Sequence, residues 1–409
     1  MSGCGAEQGL ITVDQALSLI LDNTETLTIE SLPLNQALNR YLAEDIYAEI
    51  NLPLFSQSAV DGYALCGQAT LEANSEFELI GEIQAGHPCE LQLQQGQAVR
   101  IFTGAKIPKG TTTVARQEIV NIIDTSRISV TESLKAYADI RDVGEEVAIG
   151  QLLARQGKRL SVGAIASLSM AGIQQIQTIR YPKVAVIITG DEVVGDLADL
   201  AAGQIFDANA PLIQAWFLEQ NQQIKIFHVA DTQHAVKTLI EDLSVHYDLI
   251  LTTGGVSVGD YDFIRPVTLS LGFKQIFWKV KQKPGKPLFF AQLKREQDSP
   301  CYLLGLPGNP AAVYVGMQIY TATLLNALQG HKQQPQWFSA VLTHDLKMDA
   351  RERFLRMSVN FNQSVLEVSS LSKQQSHMLS NLMHANALVR IPAAQNLHKG
   401  QVVSGIFIA

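Results

Sequence analysis

The sequence predicts a multidomain α/β plus β protein. Its parts are a central three-layer α/β/α domain with a mostly parallel sheet, a β-rich N-terminal domain, a helix-containing linker domain and a small C-terminal β domain. Three observations carry this expectation. At 409 residues the chain exceeds what one hydrophobic core supports, so about two to four domains are expected. From Lys183 to residue 330, strand-like and helix-like apolar patterns alternate as a parallel sheet with crossover helices requires. On either side, short runs broken by Gly and Pro read as β structure. The expected domains are 1–51 with 140–180, then 52–139 inserted between them, 181–330, and 331–409.

Taken in order, Thr12-Val13-Asp14 starts a helix bearing Ala16, Leu17, Leu19, Ile20 and Leu21, and Pro33 opens a second helix toward Leu42. The runs Glu78 to Gly81 and Ala98 to Phe102 read as strands, and Val162 to Ile173 as a helix. Val184 to Ile188 is the first strand of the α/β region, and Asn209 caps a helix through Glu219. Ile224 to Val229 is a strand, and Thr232 caps a helix through about Val245. Leu249 to Leu251 is followed by a helix from about Phe263, strands near Gln275 to Trp278 and Tyr302 to Leu304, and a helix beginning at Pro310. After Gln333-Gln334-Pro335 the helix signals vanish. The runs Ser339 to Thr343, Phe354 to Val359 and Gln401 to Ile408 form the last β domain.

A formal charge of -8 argues against nucleic acid or an anionic membrane as the main partner and favours small ligands. Cys4, Cys66, Cys89 and Cys301 form no C-x-x-C pair, so neither a zinc site nor a disulfide framework is suggested, and a reducing, cytoplasmic setting is expected. The first basic residue is Arg40 and no apolar signal core precedes it; Cys4 after Ser2-Gly3 lacks the apolar stretch of a lipoprotein signal. The uncharged stretch Ala311 to Gln329 carries Gln318, Thr321, Thr323 and Asn326 and reads as a buried helix rather than a membrane span.

Three strand-to-loop junctions carry the chemistry. The first, VIITGDE, ends in Thr189, Gly190, Asp191 and Glu192. The second, LILTTGGVSVGDYD, offers Gly254, Gly255, Ser257, Asp260 and Asp262. The third, LGLPGNP, offers Pro307, an N-capping Asn309 and Pro310 at the first helical turn. In an open parallel sheet such loops share the carboxyl edge, where ligands bind, and paired glycines let an anion approach the backbone. Taken singly, each loop is equally a plain chain turn; three at one edge point to an oxyanion or phosphate pocket. Asp191, Glu192, Asp260 and Asp262 suit magnesium beside phosphate oxygens, or equally a solvated acidic loop. Lys279, Lys281, Lys283 and Lys286 punctuate WKVKQKPGKP; such a charge run is usually a solvated face, but the Pro284-Gly285 turn can fold Lys283 and Lys286 back toward a phosphate. No G-x-G-x-x-G, no P-loop and no hydrolase nucleophile elbow is present. In the N-terminal half, Asp61-Gly62 alone reads as a hairpin turn, and Thr103 lies in an exposed turn between apolar runs.

The segments LPLFSQSAVDGYA, IFTGAKIP, ITGDE, GQIFDAN, TTGGVSVGD, KPGKP and LPGNP, in that order, resemble the molybdopterin molybdenumtransferases, that is, the MoeA proteins, and the related C-terminal domain of gephyrin. The likeness runs from about residue 11 through nearly the whole chain. It implies insertion of molybdenum from molybdate into adenylated molybdopterin, with magnesium-dependent cleavage of the adenylate and release of AMP. By resemblance, Thr189, Gly190, Asp191, Glu192, Gly254, Gly255, Ser257 and Asp262 belong to the nucleotide, pyrophosphate and magnesium side, with Asp191, Glu192 and Asp262 as metal ligands. Lys279, Lys283, Lys286, Pro307 and Pro310 belong to the pterin and molybdate side. Asp61 and Thr103 match positions that complete the site of the other subunit in an elongated homodimer whose linker domain dimerises; Asp231 and Ser376 match further functional positions. The implied partners are a molybdopterin adenylyltransferase and molybdoenzyme maturation factors. Other readings are the adenylyl transfer step itself, for which the chain is some 260 residues too long, and a scaffold like gephyrin's. Ser56, Val60 and Ala312 depart from the family pattern, where Asp, Met and a small polar residue are common; a serine cannot ligate a cation as a carboxylate does.

Overall fold

The computed structural model describes residues 10–190, 192–195, 200–257, 259, 262–296 and 298–408. The chain forms two compact units. One combines the segment ending at Glu30 with Asn39–Tyr41 and the chain from Thr178 onward; the other comprises Ser31–Leu38 and Leu42–Gln177.

The first unit is built on a six-stranded sheet. Its order is Ile224–Val229, Val184–Thr189, Leu249–Thr253, Cys301–Leu306, Phe289–Leu293 and Lys274–Trp278. The first four strands are parallel and Phe289–Leu293 alone runs antiparallel to its neighbours, a mostly parallel sheet as expected. Continuous apolar runs suit strands buried on both faces, and Val184 to Ile188 and Leu249 to Leu251 are all buried. Alternate residues Ala185, Ile187, Ile250 and Leu303 face the helices Gln233–His246 and Ile264–Ser270 through Val236, Ile240, Leu243, Ile264 and Val267. Each fully buried aliphatic side chain contributes about 1.5–3 kcal/mol. Val13–Asn23, Asn209–Glu219 and the run Pro310–Leu328 supply the other layer. That last run is long and apolar enough to cross a membrane by composition, but 78% of it is buried inside the protein. A closed capping box between Thr12 and Gln15 starts the helix Val13–Asn23, which buries Val13, Ala16, Leu17 and Ile20.

The C-terminal sheet belongs to the same unit. Glu352–Asn362, Val365–Ser370, Phe338–Leu342, Val402–Phe407 and Ala387–Ile391 pair in that order, and Ala387–Ile391 pairs back onto Glu352–Asn362. The ring is thereby closed, which removes free edges and encloses Met357, Val368, Val389 and Ile391. The short strand Gln282–Lys283 adds in parallel to Glu352 and Arg353. A partly buried charge cluster ties the barrel to the helix Val13–Asn23: Arg390 bonds both oxygens of the exposed Asp14 at 2.8 Å and also the Glu352 carboxylate.

In the second unit, a six-stranded sheet runs Thr113–Arg116, Gly62–Leu65, Gln97–Ile101, Glu76–Ile83, Arg127–Val130 and Val120–Ile122. One face buries Tyr63, Leu65, Phe77 and Ile128, the other Ala64, Val99, Ile101 and Val114. The helix Val162–Met170, capped by Ser161, contributes Leu168 to a separate core with Leu34, Leu42 and Leu160.

Four local expectations are corrected. Pro33 ends the strand Ile29–Pro33 and leads only into a 3-10 turn, Leu34–Gln36; Asn39, at φ +65°, turns the chain away before Leu42. Asn209 is inside its helix, whose first amides are capped by Asp207 Oδ1, accepting from Asn209 N at 2.8 Å and Ala210 N at 3.0 Å. Phe289–Leu293 is a strand that the sequence reading left unassigned, because an unbroken apolar run has no period to read. Asp61-Gly62 is not a hairpin turn: Gly62 begins a strand in which a Cβ would stand 2.0 Å from the Ala115 carbonyl oxygen.

Only a residue without Cβ fits there. Gly62→Ala is expected to cost on the order of 3 kcal/mol of stability, read from urea unfolding, because backbone rather than a movable side chain blocks the methyl group.

Candidate functional site

The parallel register brings the three junctions to one level. Ile188 lies beside Thr253, and Thr253 beside Leu306, so the loops after these strands leave the same edge. There they enclose a cavity of about 230 Å³ lined by Thr189, Gly190, Glu192, Asp231, Gly254, Gly255, Asp262, Gly308 and Pro310. Glycine is required at position 254, where the loops meet. Gly254 has φ +88° and a Cβ there would stand 2.5 Å from Thr189 Oγ1; one on Gly308 would stand 3.5 Å from Gly254 Cα. Thr189 Oγ1 donates to the Thr253 carbonyl at 3.1 Å and Gly254 N donates to the Leu306 carbonyl at 3.0 Å, locking the loops together.

Three predicted carboxylates, Glu192, Asp231 and Asp262, face this cavity. Asp262 Oδ2 accepts from Gly259 N at 2.6 Å, which orders its loop. Among the described residues no three metal-ligating side chains converge. The donor set nevertheless fits magnesium, which takes hard oxygen ligands and is commonly held by one or two carboxylates with phosphate oxygens and water. Asp191 and Asp260 lie outside the described residues. Asp207 and Asn209, within GQIFDAN, are given no part in the site by the sequence, where Asn209 reads only as a helix cap; both line the cavity, and Asn209 Nδ2 donates to the Gly308 carbonyl at 2.8 Å.

A second cavity, of about 480 Å³, is lined by Lys283, Pro284, Gly285, Lys286, Pro307, Asn309, Arg351, Arg353, Gln374 and Ser376. The two cavities share the Pro307 to Pro310 loop: Pro307 and Asn309 face one, Gly308 and Pro310 the other. Pro310 is thus with Thr189 and Gly254, not with Lys283, Lys286 and Pro307. Ser257 and Lys279 line neither cavity; Lys279 Nζ sits 4.2 Å over the Trp278 ring. Lys283 Nζ pairs with Asp349 Oδ2 at 2.9 Å while staying half-exposed, and its charge holds the Asp349 carboxyl below the usual range. Arg351 and Arg353 were missed; their signal was a pair of arginines at alternate positions entering an apolar strand run. The loop bearing Ser376 hangs on Arg356, 3% exposed, whose guanidinium donates to the carbonyls of Met378 at 2.7 Å and of Lys373 and Gln375 at 3.2 Å.

In the other unit, Asp61 Oδ1 accepts from both Thr103 N and Thr103 Oγ1 at 2.8 Å. These donors, with Arg100 nearby, hold the exposed Asp61 carboxyl below its ordinary value. Ser56 contributes its carbonyl to Ile107 N at 2.9 Å, and Val60 packs against the Ala64 and Val99 core. Replacing Arg356 by Met removes the donors that organise residues 373–378. With each buried unpaired carbonyl costing about 1–3 kcal/mol, limited proteolysis within this loop is expected to accelerate about tenfold or more.

The chain matches the MoeA N-terminal region, domains I and II, over residues 11–172, a probable molybdopterin binding domain over 185–327, and the MoeA C-terminal region, domain IV, over 339–408. It is 34% identical to the molybdopterin molybdenumtransferase of Haemophilus influenzae over 97% of this chain and 98% of that one. The protein of the same name from Bacillus subtilis is 30% identical, over 97% and 94%. Among solved structures, the molybdopterin biosynthesis moeA protein of Pyrococcus horikoshii superposes with a TM-score of 0.80 at 25% identity, over 98% of this chain and all of that one. With full-length identity above 30% and all three regions present in order, the chain belongs to the molybdopterin molybdenumtransferase (MoeA) family.

Proposed function

We propose that this protein is a transferase of molybdenum cofactor biosynthesis that inserts molybdenum from molybdate into adenylated molybdopterin, with magnesium-dependent cleavage of the adenylate and release of AMP. The observation that carries this reading is the shared loop wall. One substrate lying across Pro307 to Pro310 reaches an acidic, hydroxyl- and glycine-lined cavity on one side and a cationic cavity on the other. That polarity matches a molecule with a pyrophosphate and nucleotide at one end and a pterin dithiolene at the other.

In the first cavity, Gly254, Gly255 and Gly308 let phosphate oxygens come close to the backbone, and Thr189 offers a hydroxyl. Magnesium, when bound there with the pyrophosphate, would be held by Glu192 and Asp262 and would neutralise phosphate charge. In the second cavity, Lys283 and Lys286 act as point charges toward molybdate, and Arg351 and Arg353 present planar guanidinium forks suited to an oxyanion. Arg356 keeps Ser376 at the rim through its loop.

The working unit we propose is a homodimer in the cytoplasm, in which Asp61 and Thr103 of one subunit complete the site of the other. A molybdopterin adenylyltransferase supplies the substrate, and molybdoenzyme maturation factors take the product.

Two experiments test this reading. Protein loaded with adenylated molybdopterin is expected to release AMP stoichiometrically when molybdate and magnesium are added; release that is independent of molybdate would overturn the proposal. Changing Lys283 and Lys286 together to Ala is expected to raise the molybdate dissociation constant about tenfold or more at low ionic strength, since each charge near a ligand is worth about 1 kcal/mol or more. The deficit should shrink as salt is added, with little loss of stability because the Lys283 pair is half-exposed.

A further inference from the structure

Lys283, Pro284, Gly285 and Lys286 form one wall of the cationic cavity, and the chain behind that wall is held by a buried polar relay. Gln282, 1% exposed, donates from Nε2 to the Gly285 carbonyl at 3.1 Å, and its Oε1 accepts from the hydroxyl of fully buried Tyr320. The orientation is chemically forced. A carbonyl only accepts, so the amide nitrogen faces Gly285 and the amide oxygen is left for the phenol, which must donate. Burial, with Glu352 nearby, holds the Tyr320 phenol well above its ordinary value, so the donor proton stays in place.

Tyr320 reaches Gln282 from an irregular place. Within Pro310–Leu328 the segment Met317–Thr321 is a π turn, in which Ala322 N–H bonds the Met317 carbonyl five residues back. A π turn breaks the regular helix ladder and re-aims the side chains beyond it, and such turns concentrate at functional sites. Here its neighbour Thr321 keeps a buried hydroxyl with no partner among the described residues. Gly285 itself, at φ +86°, leaves room for the amide: a Cβ there would stand 3.0 Å from Gln282 Nε2. Gly285 is therefore held by hydrogen bonding through Gln282, which Tyr320 orients in turn.

We propose that Gln282 and Tyr320 are positioning residues that set the placement of Lys283 and Lys286 without touching the ligand, an inference that rests on the insertase reading for its kinetic consequence. The test uses full-length Tyr320→Phe, which keeps the ring and deletes the hydroxyl. With a buried hydrogen bond worth about 1–3 kcal/mol, the KM for molybdate in AMP release is expected to rise about tenfold, with kcat at saturating molybdate within about twofold. Amide exchange in residues 280–288 is expected to accelerate about tenfold while that in 249–257 is unchanged. An unchanged KM in an active wild-type background, or unchanged exchange in any background, overturns the proposal. If the wild-type protein itself releases no AMP, the insertase reading falls separately and exchange decides the positioning role. Should Tyr320→Phe fail to fold by circular dichroism, Gln282→Met, of similar length and without either amide bond, is measured with the same expectations.

Discussion

The site here depends on the parallel register that brings the loops after neighbouring strands to one edge, where Gly254, at φ +88°, closes on Thr189. The strands Leu249–Thr253 and Cys301–Leu306 are neighbours in parallel register, so their loops emerge at the same height. Where the loops meet, a Cβ on Gly254 would stand 2.5 Å from Thr189 Oγ1, whereas one on Gly308 would make an ordinary 3.5 Å contact with Gly254 Cα. A side chain at position 254 would therefore displace Thr189 from the cavity wall it forms.

The same closeness explains the division of chemistry. A loop as narrow as Pro307 to Pro310 sends successive residues to opposite sides, which makes it a partition between two cavities of opposite character. Acidic groups gather where phosphates and a cation would meet, and lysines and arginines gather where an oxyanion would enter. Keeping the two sets on separate faces prevents the carboxylates from neutralising the basic residues. Lys283 bridges that cationic face to the Asp349 carboxylate, and the pair is half-exposed on the lysine side.

Much of this arrangement was legible in the sequence because it follows from local rules. Val184 to Thr189 and Leu249 to Thr253 announce buried parallel strands by unbroken apolar runs that end in Thr and Gly, and parallel strands place such ends together. Thr232 and Thr12 announce helix starts through their own side chains. What was not legible depended on partners far away in the chain. Asp207 caps a helix whose start looked like Asn209, because which oxygen reaches the amides is settled by the turn before it. Gly62 looked like a turn residue, whereas its role is set by the Ala115 carbonyl across a strand pair. Arg351 and Arg353 become part of a site only because the barrel brings the start of Glu352–Asn362 alongside Gln282–Lys283. Pro310 changed sides because a one-residue step along a tight loop is also a step through the partition.

The two-residue strand Gln282–Lys283 carries a further consequence. Neighbouring residues of a strand point to opposite faces, so Gln282 is committed to the interior and Lys283 to the cavity. Inserting or deleting one residue before this pair would exchange the faces, driving a cation against Tyr320 and offering the cavity an uncharged amide. The bonds from Lys279 N to the Leu288 carbonyl and from Val280 N to the Lys286 carbonyl fix the number of residues between them, so a change of length here would disturb the buried relay and the cavity wall together. Related chains are expected to drift in composition across this stretch far more readily than in its count of residues.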